Sequence, residues 1–136
     1  MAEQGPEGYK KLVVWRNARE LRFRIYKISN EFPKSEVRRV SQMRDAARSV
    51  KQNIQEGYQR RSLGEYIHSL EISKASLGEL QGDLEDCFED RLITKDEIDI
   101  LFKLCHSAIY LSTQYLKTMW RPENQAKWKT LKNSTR

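Results

Sequence analysis

The sequence predicts an all-α protein folded as an antiparallel, up-and-down four-helix bundle. Three observations lead there. Apolar residues recur at spacings of three and four through four separate stretches. Helix starters and stoppers stand between those stretches. Proline and glycine are scarce, at three and six residues of 136, while charged residues reach 32%. That balance favours helices over sheet or irregular structure. No strand-like alternation, low-complexity segment or internal repeat interrupts the pattern.

The first helix is expected from about Val13 to Ser29. Trp15, Ala18, Leu21, Ile25 and Ile28 share one face, and Phe32-Pro33 ends it. The second starts near Ser35, a suitable N-cap, and runs to Gly57. Val37, Val40, Met43, Ala47, Val50 and Ile54 form its stripe. Gly57 suits either a helix C-cap or a close helix contact. Ser62-Leu63-Gly64-Glu65 reads as a capping box opening a third helix that reaches about Phe88. Its core face is Tyr66, Leu70, Leu77, Leu80, Leu84 and Cys87, and Ala75, Gly78 and Gly82 line a second face of small residues. That second face fits intrachain packing and a subunit contact equally well. Thr94-Lys95-Asp96-Glu97 opens the fourth helix, which ends near Met119 before Trp120-Arg121-Pro122.

Residues 12–120 therefore form the expected bundle, with a flexible N-terminus at 1–11 and a basic flexible tail at 121–136. A short helix around Ala126 to Leu131 is possible within that tail. No apolar run approaches the roughly 20 residues that span a bilayer. No signal-peptide segment stands at the start. A cytoplasmic protein with no membrane partner is expected. Cys87 and Cys105 fall on neighbouring helices at different heights, so two reduced core thiols are expected rather than a disulfide.

The net charge of +6 is unevenly spread. Residues 1–61 carry 15 basic and 7 acidic side chains, residues 62–120 carry 5 and 11, and residues 121–136 carry 5 and 1. A basic front half and tail favour polyanions such as nucleic acid. Opposed halves equally favour contacts between neighbouring helices or between copies of the chain.

Catalytic motifs are nearly absent: there is no P-loop, dinucleotide fingerprint or CxxC. Glu65-Tyr66-Ile67-His68 is a Glu-x-x-His step of the kind di-iron bundles use twice. No second copy exists, since Lys103 stands three residues before His106, and Glu65 already serves the capping box. Cys105 and His106 point about 100° apart on a helix and cannot easily share a metal. No enzymatic activity, metal or cofactor is expected.

Gln42, Asn53 and Glu56 sit beside the apolar stripe of the second helix. They are read as a half-buried hydrogen-bond network, joined by Glu79 and Arg44. The basic residues are the functional candidates. Arg44, Arg48 and Lys51 follow i, i+4, i+7 spacing, with Arg38 and Arg39 before them and Arg60 and Arg61 in the following loop. Arg16, Arg19, Arg22, Arg24 and Lys27 decorate the first helix. Phosphate binding uses such clusters, although a charge run is more often a solvated face or pairs with Asp83, Glu85, Asp86, Glu89 and Asp90. Arg38, Arg39, Arg44, Arg48, Lys51, Arg60 and Arg61 are the expected phosphate contacts.

The order of certain residues resembles a known family. Leu12-Val13-Val14-Trp15-Arg16-Asn17-Ala18, Phe32-Pro33, and above all the run from Gln42 to Tyr58 with its Ser49-x-x-x-Asn53-Ile54-x-Glu56-Gly57 core carry the likeness. Leu70, Ala75-Ser76-Leu77 and Glu79-Leu80 extend it, so that it covers about residues 9–120. They resemble the four-helix-bundle proteins of intervening sequences in bacterial large-subunit ribosomal RNA genes. Relatives include the accessory protein of diversity-generating retroelements. The resemblance implies a ring-like homopentamer, nucleic-acid binding, partnership with a reverse transcriptase and no catalysis. Asp45 stands where that family often has a second basic residue.

The leading expectation is thus a non-enzymatic pentameric accessory protein that binds structured RNA or an RNA–DNA intermediate beside a reverse transcriptase. The alternative is a structural or protein-interaction module whose basic face meets an acidic protein or a neighbouring copy. A carboxylate-bridged metal enzyme is the third and remotest reading.

Overall fold

The computed structural model describes residues 7–124 and residue 126. Four long helices pack together: α1 (Val13–Ser29), α2 (Val37–Tyr58), α3 (Leu63–Glu89) and α4 (Lys95–Met119). Among the described residues there is no strand. Each helix packs on its two neighbours in cyclic order, and the α2–α3 contact is the most extensive.

Cross-helix pairs establish the antiparallel sense. Trp15 at the start of α1 bonds Gln55 near the end of α2, while Arg44 reaches back to the end of α1. Met43 meets Cys87, and Ser49 meets Ser76, across α2 and α3. Tyr66 meets Tyr115 across α3 and α4. Short turns between stripes that must all be buried leave this arrangement as the natural one.

The apolar stripes converge on one core. Ile25, Met43, Tyr66, Leu77, Leu80, Leu84, Cys87 and Cys105 are fully buried. Each such leucine or isoleucine contributes roughly 1.5–3 kcal/mol relative to exposure. Both cysteines are free and buried. Burial pushes the Cys105 thiol up to about 12. Burial also raises Cys87, partly offset by a hydrogen bond with Arg39.

Helix ends follow local chemistry, with one departure. Ser62 Oγ accepts from the Glu65 backbone N–H, and Thr94 with Glu97 forms a reciprocal capping box. Ser35 does not cap α2. Residues Lys34–Glu36 form a 3-10 turn after Pro33, so Ser35 lies inside the helical path and α2 begins without a side-chain cap. The α3–α4 turn carries Arg91 in the left-handed region at φ 62°. The Leu92 N–H bonds Cys87 O at 2.9 Å, closing α3 with a Schellman-type turn.

The folded part starts earlier than residue 12. Residues Gly8–Lys11 form a 3-10 turn that buries Tyr9 against Trp15 and Tyr58. At the other end, the short helix expected around Ala126 to Leu131 lies outside the described residues apart from Ala126 itself.

The glycines separate into two roles. A Cβ on Gly57 would stand 2.5 Å from Ser69 Cβ and 3.0 Å from Tyr66 Cδ1. Gly57 is therefore the close-contact residue of the α2–α3 pair, buried within α2 rather than capping it. Gly78 and Gly82 have nothing within 4 Å of an added Cβ, and with Ala75 they are exposed. The small-residue face of α3 thus does no packing within the described residues. Among those residues no helix is long and apolar enough to cross a membrane.

Candidate nucleic-acid interface

The basic residues of the front half converge on the seam between α1 and α2. On α1, Trp15, Arg19, Arg22 and Tyr26 fall along one edge, since three- and four-residue steps stay on one side of a helix, and Phe23, one residue past Arg22, stands at its outer margin beside Arg19. On α2, Arg44, Arg48 and Lys51 follow the same rule on the facing edge. The two edges meet because the buried stripes beside them, Ala18–Leu21–Ile25 and Met43–Ala47–Val50, share the core.

Cations and rings alternate along this seam. Arg19 lies over both Trp15 and Phe23, at 5.8 and 5.2 Å from the ring centroids. Lys51 approaches the Trp15 ring at 5.9 Å. Arg22 and Arg44 both lie over Tyr26, at 4.4 and 4.6 Å. Such contacts hold cations against apolar surface without neutralising them. Trp15 Nε1 donates to Gln55 Oε1 at 3.1 Å, and Lys51 Nζ donates to the same oxygen at 3.4 Å.

Among the described residues, none of Arg19, Arg22, Arg48 and Lys51 forms an ion pair. Lys51 registers the crowding. Its pKa is lowered, first by partial burial and then by repulsion from Arg22, Arg48 and Arg19. Arg22 Nε is buried with no hydrogen-bond partner among those residues.

The seven expected phosphate contacts fall into three groups. Arg48 and Lys51 lie in the seam. Arg44 lies there too, but it is spent on structure. Its Nε donates to Ser29 Oγ at 2.9 Å, and its Nη2 donates to Asn30 Oδ1 at 2.7 Å and to Tyr26 O at 3.3 Å. It ties α2 to the end of α1. Arg60 and Arg61 are exposed and leave α2 at the Trp15 end of the seam. Arg38 and Arg39 stand apart, at the start of α2. Arg39 pairs with Asp90 at 2.7 Å, which raises its pKa, and also with Glu36 at 2.9 Å. Both arginines border an open groove of about 420 Å³ that also holds Asp83, Asp86 and Asp90. Burial and the neighbouring Asp86 and Glu79 raise Asp83 above the usual carboxylate value. An anion would meet repulsion there.

Among the described residues, Gln42, Asn53, Glu56 and Glu79 are not joined in the expected network. Gln42, Glu56 and Glu79 are exposed, and among the described residues Glu56 pairs with Gln52 of its own helix. The polar contacts between α2 and α3 run through small side chains, to which Asn53 is joined within α2. Asn53 donates to Ser49, Ser49 pairs with Ser76 at 2.9 Å, and Ser73 donates to Val50 O at 2.7 Å. Long side chains at 42, 56 and 79 reach water more readily than the tight α2–α3 contact admits them. Among the described residues no three His, Cys, Asp or Glu side chains are placed to hold a metal ion.

Trp15, Phe23, Tyr26, Arg19 and Arg22 were not among the expected contacts. Their signal was in the sequence: aromatic and basic residues interleave at helical spacing along the edge of α1.

These features define a helical-bundle protein with a cationic, ring-lined face. The chain belongs to the 23S rRNA-intervening sequence protein family, whose pattern it matches across residues 10–113. Comparison with curated proteins yields no match.

Proposed function

We propose that this chain is a non-enzymatic, oligomeric accessory protein that binds structured RNA or an RNA–DNA intermediate through the α1–α2 face. The observation that carries the reading is the set of cations gathered in the seam, among which Arg19, Arg22, Arg48 and Lys51 have no carboxylate partner among the described residues. Such a set is held apart by mutual repulsion and gains most from phosphate, because each neutralised phosphate releases condensed counterions. Family membership supports a connection with ribosomal RNA intervening sequences. The likeness to retroelement accessory proteins supports a reverse transcriptase as the protein partner, and a cytoplasmic setting follows from such partners.

A titration of structured RNA, followed by fluorescence anisotropy across a salt series, tests this. Log affinity should fall with log salt by roughly 0.7–0.9 per phosphate contacted. Joint Arg48→Glu and Lys51→Glu substitution should abolish most of the affinity. Weak, unsaturable binding at low salt would overturn the proposal.

The uncovered Ala75, Gly78 and Gly82 stripe favours a second element of the reading, contact between copies. Exposed small residues let another helix approach closely, and Glu71 and Glu85 flank the stripe opposite in sign to the basic face. We take this stripe as part of the seal of a homopentameric ring. Light scattering should then give about five times the 16.1 kDa chain mass. A monomeric mass at all concentrations would leave the α3 stripe without that role.

A further inference from the structure

We infer that the α1–α2 seam binds unpaired nucleotides, stacking a base on Phe23 while the surrounding cations hold the strand's phosphates, and that it disfavours continuous duplex. The inference rests on the nucleic-acid reading above and deepens it.

Phe23 is a large apolar ring that is 50% exposed, on a helix whose Trp15 is buried and whose Tyr26 is half-buried. Leu21 and Ile25, two residues to either side and so on the opposite face of the helix, are buried, which turns Phe23 to solvent. One face is held by the Arg19 guanidinium at 5.2 Å. Arg19 in turn is steadied by Trp15, and Trp15 by its bond to Gln55. The ring therefore stands in a fixed cationic frame rather than on a loose surface. A base stacked on an aromatic ring beside an arginine gains from both partners.

Only unpaired nucleotides can use such a ring. In a duplex the base faces are already stacked on one another, and the duplex offers a protein its phosphates and groove edges. A seam that needed phosphates alone would have no use for an exposed phenylalanine, and the aromatic side chain costs solubility where it stands.

The length of the seam suits a short single strand. From Trp15 to Tyr26 is eleven residues, or roughly 16 Å of helix axis. A stacked strand places a phosphate about every 3.4 Å, so about five nucleotides would lie along it. Sites of this kind span about 4–16 nucleotides. In a folded RNA the occupants would be loops, bulges and ends.

The test uses the full chain, an oligouridylate of about 12 nucleotides and an RNA duplex of the same length, each fluorescently labelled. Phe23→Ala should weaken single-strand binding roughly five-fold or more while duplex binding stays within about two-fold of its original value. Phe23→Trp should restore the single strand. Circular dichroism of both variants establishes that they fold, which the half-exposed position favours. If the unaltered chain binds both probes with steep salt dependence and Phe23→Ala changes neither, the nucleic-acid reading stands and the stacking inference is overturned. Equal losses for both probes would also overturn stacking. If neither probe binds saturably, or if polyglutamate competes as well as RNA, the nucleic-acid reading falls and this inference falls with it.

Discussion

Replacing Gly57 by alanine tests the packing that aligns α2, and with it the seam. In an ordinary helix interior this change is favourable by about 1 kcal/mol. Here the added methyl would stand 2.5 Å from Ser69 Cβ, with Ser69 Oγ and Tyr66 Cδ1 both at 3.0 Å. A Cβ is fixed to its backbone, so the clash cannot be relieved by turning a side chain. Either α2 or α3 must shift at this end of their contact. Overpacking of this kind costs about 1–3 kcal/mol and occasionally more. With the nearest contact so short, the upper part of that range applies, and the net effect is a loss of about 1–2 kcal/mol. For a chain of this length that lowers the melting midpoint by roughly 4–8 °C. Gly78→Ala provides the control. Open space surrounds that position, so alanine should stabilise the monomer by about 0.5–1 kcal/mol. Thermal melts at low protein concentration, with urea titrations to obtain free energies, read both signs. A Gly57→Ala protein as stable as Gly78→Ala would refute the argument, because propensity alone would then decide both sites.

Further outcomes follow from the same geometry. Arg44→Ala should destabilise the protein by about 1.5–3 kcal/mol through its bonds to Ser29 and Asn30, whereas Arg48→Ala should leave the urea midpoint almost unchanged and reduce the salt slope of RNA binding by roughly 0.7–0.9. Arg91→Gly should stabilise by about 1 kcal/mol, because it removes a side chain from a left-handed backbone at φ 62°; an unchanged or lowered urea midpoint would count against that assignment. Cys105 should resist alkylation in the folded protein at pH 8 and react once unfolded. Its thiol is raised from an ordinary 9.0 to about 12. The unfolded chain therefore releases this proton first as pH rises, and the stability contribution is complete below about 9 and lost towards 12.

The helices were legible because burial imposes a period that sequence displays directly. Val13–Ser29 is bounded as its stripe and Phe32-Pro33 require, and Thr94 with Glu97 marks the start of α4. Ser35 was misread because a cap rule cannot see a 3-10 turn that has already absorbed the residue. Tyr9 was missed because a single buried ring has no period. The candidate site was half legible. Arg48 and Lys51 stand out by spacing, but pairing depends on which element lies opposite. That is why Arg39 is committed to Asp90 and Arg44 to the end of α1. Gln42 and Glu56 were read as half-buried beside the stripe of α2 with Glu79 as a partner, yet all three are exposed, because a position beside the stripe turns to water when its side chain is long. The two uses of glycine, tight at Gly57 and open at Gly78 and Gly82, became distinct only when the neighbouring helices were in place.

Photocrosslinking of the bound RNA tests the account most directly. A structured RNA carrying 4-thiouridine in its loops would be irradiated on the full chain, and the linked peptides identified by mass spectrometry. Crosslinks should concentrate on the α1 segment from Trp15 to Tyr26 and on α2 from Arg48 to Gln55. Crosslinks confined to α3 and α4, or spread evenly over the surface, would contradict the assignment of the α1–α2 seam.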